Sequence, residues 1–207
     1  MRKNFRRGLI DPEILFLLTI IAISVSIISS FLLEEGHFFF ACSSKSDQQL
    51  IKEIQSSDPE IRFKAISLLI KRNNPVAKNP QTIDYLVISS VNLLDENGKW
   101  LNVRKGRKFY DLLKKIEPDL VVSSLVRQIF KPKIRLRVLF LTIKLGIPGS
   151  EEKLIAVLNQ DGDKKMAEDF LNSGSEKLHQ AGVEWARKNG YMVSFGSGSH
   201  RAFWGRF

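Results

Sequence analysis

The stretch Asp58-Pro59-Glu60-Ile61-Arg62-Phe63-Lys64-Ala65-Ile66-Ser67-Leu68-Leu69-Ile70-Lys71 decides the fold. Its apolar residues Ile61, Ala65, Ile66, Leu68, Leu69 and Ile70 recur at the spacing of a helix with one buried face. Asp58 suits an N-cap and Pro59 the first helical turn, where a missing N–H costs nothing. Asn73-Asn74-Pro75 closes the segment. The pattern returns as Pro132-Lys133-Ile134-Arg135-Leu136-Arg137-Val138: Pro, Ile and Arg are identical, Leu68 then meets Leu141, Ile70 meets Ile143 and Lys71 meets Lys144. The offset is 132 − 59 = 73 residues, or two periods of about 36.5.

Outward from this pair, the periodicity predicts helices over 47–55, 60–72, 80–95, 99–116, 118–130, 133–145, 150–159, 163–172 and 174–188. Pro80, Pro118 and Pro132 stand at helix starts, and Gly98, Gly146, Gly149, Gly162 and Gly174 mark turns. Val103-Arg104 falls where an intermediate copy belongs, and Asp163-Lys164-Lys165-Met166-Ala167 is a weaker fourth copy. Only in the tail do Tyr191, Val193 and Phe195 alternate as in a strand. The expected class is all-α, with domain boundaries at 1–13 (basic segment), 14–33 (anchor), 34–46 (linker), 47–189 (helical repeats) and 190–207 (flexible aromatic and basic tail).

Asp58-Pro59-Glu60-Ile61-Arg62-Phe63-Lys64-Ala65 resembles the second helix of a HEAT repeat, Asp-x-x-Val-Arg-x-x-Ala, including the short variety found in phycobilin lyase subunits. The resemblance covers about 47–188. It implies a short α-solenoid of stacked helix pairs and a protein-binding scaffold. One amphipathic pair cannot bury its apolar face alone, so such pairs stack, and the end copies differ from the rest.

The 207 residues are 43% hydrophobic and 26% charged, enough apolar content for a core. The net charge of +10 points to an acidic partner or anionic surface. With one cysteine, Cys42, neither an intramolecular disulfide nor a cysteine zinc site can form.

Ile14 to Leu33 reads ILFLLTIIAISVSIISSFLL, without a charge. At helical rise these residues span about 30 Å, the thickness of a bilayer core. A transmembrane anchor is the expected reading. A cleaved signal peptide, with a shorter apolar core of about 7–15 residues, and a buried soluble helix are the competing ones. Arg2, Lys3, Arg6 and Arg7 precede the segment, whereas only Lys45 and Lys52 occur within 34–53. The N-terminus is therefore expected in the cytoplasm and the domain across the membrane, in the periplasm of a bacterium. Arg6-Arg7-Gly8, with Glu13 fifth after the glycine, resembles a type IV prepilin leader, which implies removal of residues 1–8. Leu9 and Asp11-Pro12 depart from that pattern. Phe40-Ala41-Cys42 resembles a degenerate lipoprotein box.

The chain holds no Gly-x-Ser-x-Gly elbow, phosphate-binding glycine loop or His-Glu-x-x-His motif. The expectation is a non-enzymatic protein without a cofactor or metal. Asp161-Gly162-Asp163 lacks the alternating oxygens of a calcium loop and reads as a turn with a helix cap. The informative pattern is basic. Lys99 to Lys115 holds seven Lys/Arg against Asp111, and Leu120 to Ser150 holds six and no acid. A solvated helix face normally mixes signs. Arg104, Lys105, Lys108, Lys133, Arg135 and Arg137 are the candidate partner-binding residues, for an acidic protein or an anionic surface rather than nucleic acid. Phe203, Trp204 and Phe207 are candidate docking residues in the tail. The expected function is a membrane-anchored scaffold or adaptor. Its rivals are a pilin-like structural subunit of an envelope assembly and a non-catalytic accessory subunit of a lyase-type enzyme.

Overall fold

Prolines and short polar side chains set the helix boundaries of this chain. The computed structural model describes residues 45–195 and 202–204. The anchor segment 14–33, the leader-like residues 6–13, Cys42 and Phe207 lie outside the described residues. The chain divides into the units Met1–Gln49 and Leu50–Phe207. Among the described residues the fold is helical apart from one short strand pairing. Its elements are α1 (Asp47–Glu53), α2 (Pro59–Lys71), a 3-10 helix (Pro75–Lys78), α3 (Pro80–Asn92), α4 (Val103–Leu113), α5 (Pro118–Ile129), α6 (Arg135–Leu145), α7 (Ser150–Asp161), α8 (Lys164–Leu171) and α9 (Glu176–Lys188), then strands β1 (Val193–Phe195) and β2 (Ala202–Trp204). None of the described helices is long and apolar enough to cross a membrane.

Asp58 caps α2 by accepting the Glu60 N–H at 2.8 Å. Asn79, Asn102, Asp163 and Ser175 cap α3, α4, α8 and α9 in the same manner. Each satisfies a backbone donor that the first turn leaves without a partner. Pro59, Pro80 and Pro118 occupy the first turns of α2, α3 and α5. Pro132 does not open α6. It lies in a turn closed by the Ile134 N–H on the Lys131 carbonyl, and the helix begins at Arg135.

The 73-residue offset holds in the backbone as well as in the sequence. Arg62 Nε donates to the Ser56 carbonyl at 3.0 Å, and Arg135 Nε donates to the Ile129 carbonyl at 2.8 Å. Both acceptors lie six residues before their arginine. Asn73, just beyond α2, has φ 53°, and Gly146, just beyond α6, has φ 59°. Left-handed residues commonly end helices because they turn the chain away from the axis. Pro75 and Pro148 follow at the same offset. The correspondence stops at Val103-Arg104, where both residues are exposed and open α4 rather than repeating the buried arginine.

Two apolar clusters share α5 and α6. Ile66, Leu86, Val87, Leu94, Leu113, Leu125, Val138 and Leu141 belong to the first. Ile129, Leu139, Leu154, Leu158, Phe170, Leu178 and Trp185 belong to the second. Truncating one such leucine to alanine costs roughly 2–5 kcal/mol. Helix α3 packs against α4, α5 and α6, and α9 packs against α8 and α7. At the C-terminal end β1 and β2 pair antiparallel, Ser194 opposite Phe203, and β2 packs on α8.

Candidate functional site

Helix α4 carries the densest basic sequence, and its start is fixed by local structure rather than by periodicity. Leu94 and Trp100 form an isolated antiparallel bridge, and Asp95 Oδ1 accepts the N–H groups of Asn97 and Lys99 at 2.9 and 2.8 Å. That hydrogen bond from Lys99, aided by the one from Asn97, holds the Asp95 carboxyl below its ordinary value. The helix expected from Lys99 therefore starts at Val103, with Asn102 accepting the Lys105 N–H at 3.0 Å. Gly106 sits in mid-helix because the Trp100 ring occupies the place of a side chain: a Cβ there would lie 2.4 Å from Trp100 Cδ2.

The inward side of α4 presents Gly106, Leu112 and Leu113 to the core, with Phe109 tilted against Phe63 at 4.4 Å between ring centroids. The outward side presents Val103, Arg104, Arg107, Lys108 and Asp111, which line an open surface groove. Among the described residues Arg107 and Lys108 form no ion pair. Lys105 lies on the flank, 3.4 Å from Glu60 of α2. At the other end of α4, Tyr110 donates to the Lys144 carbonyl at 3.3 Å, and the Lys144 ammonium lies 5.9 Å over the Trp100 ring. The structure thus joins the two basic stretches of the sequence through Lys144, a residue absent from the sequence-based set.

Of that set, Arg104, Lys105 and Lys108 are exposed on α4, and Lys133 is exposed in the turn before α6. Arg137 is half-buried and donates to the Lys133 carbonyl at 3.4 Å. Arg135 corrects the sequence reading: at 2% exposure it cannot meet a partner. Its Nη1 lies 3.4 Å from the buried Asp169 and 3.6 Å from the exposed Asp163, an ion cluster tying α6 to α8. Lys165 approaches Asp169 at 3.6 Å. Burial nevertheless pushes the Asp169 carboxyl above its ordinary value, outweighing both cations. Arg127, another member of the acid-free stretch, is held by Asp84 at 2.8 Å.

Phe203 and Trp204 lie in β2, its backbone paired to β1. Sequence reasoning missed Leu101 and Val103, which are 67% and 60% exposed. The signal was present in Lys99-Trp100-Leu101-Asn102-Val103-Arg104, where a capping asparagine splits two aliphatics that a continuous helix would have turned to different faces.

Among the described residues no cluster of His, Cys, Asp or Glu is arranged to hold a metal ion. The chain matches no family model, and comparison with curated proteins and with solved structures gives no match either.

Proposed function

We propose that this chain is a membrane-anchored, non-enzymatic scaffold whose helical domain, a short HEAT-like α-solenoid, engages an anionic counterpart through the outward face of α4. The observation that carries this reading is the one-sided charge of that face, where Arg104, Arg107 and Lys108 stand against Asp111 alone. Two exposed cations on other parts of the surface do meet acids, at Lys78–Glu117 (2.6 Å) and Lys153–Asp119 (3.0 Å). The matching bonds of Arg62 and Arg135, and the matching turns at Asn73 and Gly146, support a repeat architecture. The uncharged stretch 14–33 and its basic N-terminal flank support a single-pass anchor with the domain outside the cytoplasm.

The test compares two triple charge reversals in the full chain. One is Arg104→Glu, Arg107→Glu and Lys108→Glu; the other is Lys71→Glu, Arg187→Glu and Lys188→Glu, three exposed cations elsewhere. Both change the net charge equally. Binding to immobilised polyglutamate is expected to collapse in the first variant, to hold in the second, and to weaken with salt in the wild type. Equal losses in the two variants would reduce the face to net charge alone and sink the proposal.

A further inference from the structure

The segment Lys99–Lys108 has a composition that an acidic protein surface alone would not call for. Leu101 and Val103 have the highest exposures of the large hydrophobic residues described. They stand in a run containing Lys99, Arg104, Lys105, Arg107 and Lys108 and no acid. Nor are they a frayed loop. The Leu101 N–H is bonded to the Leu93 carbonyl at 2.8 Å, Trp100 bridges Leu94, and Asn102 caps α4. The backbone therefore holds two aliphatic side chains in water at a fixed place beside a cluster of cations.

We propose that this knuckle is a lipid-docking element: Leu101 and Val103 enter the interface of an anionic bilayer while Lys99, Arg107 and Lys108 bind its phosphates. Aliphatic insertion plus cationic attraction is how peripheral elements hold anionic membranes, and each contribution is weak alone. Charge complementarity selects this occupant, since exposed aliphatics gain most where headgroups give way to acyl chains and the surrounding cations need an anionic surface. The inference rests on the anchored reading, which also supplies the means. Residues 34–44 separate the apolar segment from Lys45. Twelve Cα–Cα steps allow a reach of at most about 40 Å. A tether of that length keeps the domain at a high effective concentration beside the bilayer, so a weak docking surface suffices.

The experiment uses the full chain with Cys42→Ser and Leu101→Cys, labelled at position 101 with an environment-sensitive fluorophore. A matching chain carries the label at Gln160→Cys, on the exposed side of α7. Both are reconstituted into vesicles of phosphatidylcholine alone or with about 30% phosphatidylglycerol. At position 101 the expected result is a several-fold gain in emission, quenched by spin-labelled lipid, in the anionic vesicles only. It is lost in Arg107→Glu/Lys108→Glu and at high salt, and position 160 stays unchanged. Equal signals in both lipids, or a signal indifferent to the charge reversal, would overturn the proposal. A label that remains in water while α4 still binds polyglutamate overturns lipid docking and leaves the anionic-counterpart reading standing. Loss of both sinks both, as does a chain that fails to float with either vesicle.

Discussion

Arg62 and Arg135, 73 residues apart, perform the same task, each sending its Nε–H to the carbonyl six residues earlier, Ser56 at 3.0 Å and Ile129 at 2.8 Å. Their surroundings differ. The Arg62 guanidinium is half-buried and lies 4.4 Å over the Tyr85 ring. Arg135 is sealed and faces Asp169 and Asp163. In both places the arginine staples the start of its helix to the backbone just before it, at the end of α5 for Arg135 and in the turn after α1 for Arg62. Only the second faces a buried carboxylate, Asp169, with the exposed Asp163 beside it.

This difference predicts unequal penalties for the same substitution. Arg135→Met removes one member of a buried pair and leaves Asp169 without its internal cation, a change that costs about 3–5 kcal/mol. Arg62→Met loses a hydrogen bond from a charged donor and a partly solvated ring contact, which together cost about 1–3 kcal/mol. Urea denaturation of both variants measures the gap. Equal losses would mean that the Asp169 contact contributes nothing to the fold.

Much of the fold was legible. Among the described residues nine helices stand near the expected positions, because capping and periodicity agree at Asp58-Pro59 and Asn79-Pro80 and a proline opens the helix at Pro118. The misplaced starts have physical reasons. Pro132 shares its sequence context with Pro59 but not its place in a helix, and the Leu94–Trp100 bridge delays α4 by four residues. The site was legible only as charge. Motif identity marked Arg135 as basic, but its burial follows from α8 bringing Asp163 and Asp169 against it, from 28 and 34 residues away. Likewise Lys144 reaches Trp100 only through the packing of Phe140 on Gly98 and Tyr110 on α6, contacts between residues more than thirty apart.

Two carboxylates give opposite pH signatures. Partial burial pushes the Asp84 carboxyl up, but hydrogen bonds from Arg127 and Ser124 and the Arg127 charge outweigh it and leave the value below 3.8. A depressed folded value means that Asp84 adds stability above 3.8, which is lost as pH falls through the folded value. Asp169 is the reverse: its value is raised by burial, so its contribution is most favourable below 3.8 and is lost as pH rises through the folded value. Relative to wild type, Asp84→Asn should thus lose its disadvantage on acidification, while Asp169→Asn should fall further behind. Denaturation series between neutral and acid pH read both slopes. Parallel curves for the two variants would refute the assignment.

The N-terminal segment yields a separate prediction. The membrane form should begin at or near Met1, and a reporter active only outside the cytoplasm should work when fused after Phe207. Intact-mass measurement tests the first statement, since loss of residues 1–8 would favour the prepilin-like alternative, with Leu9 as the new N-terminus. A silent fusion on a chain that still fractionates with membranes would reverse the orientation. A mature protein lacking 1–33 would remove the anchor.

Gly106→Ala sets two known effects against each other. Glycine in a helix interior costs about 1 kcal/mol relative to alanine, so propensity alone predicts stabilisation. The added Cβ, however, would meet Trp100 Cδ2 and Cε3 at 2.4 Å and Cγ at 2.9 Å. These are rigid ring atoms, and the ring has little room to retreat: its backbone is bridged to Leu94, and its side chain packs into the first apolar cluster. Overpacking of this kind costs about 1–3 kcal/mol, and here it should win, leaving the variant less stable than wild type with a lower melting temperature. The cause can be isolated by a second substitution. In a Trp100→Leu background the ring is gone, and Gly106→Ala should become neutral or stabilising, a coupling that a double-mutant cycle reads directly. Because Trp100 and Leu101 are consecutive, displacing the ring also moves the exposed aliphatic knuckle. The single variant should therefore weaken the lipid-dependent signal at position 101 without any change of charge on α4. A Gly106→Ala protein that melts higher than wild type and keeps that signal would show that Trp100 does not hold the start of α4.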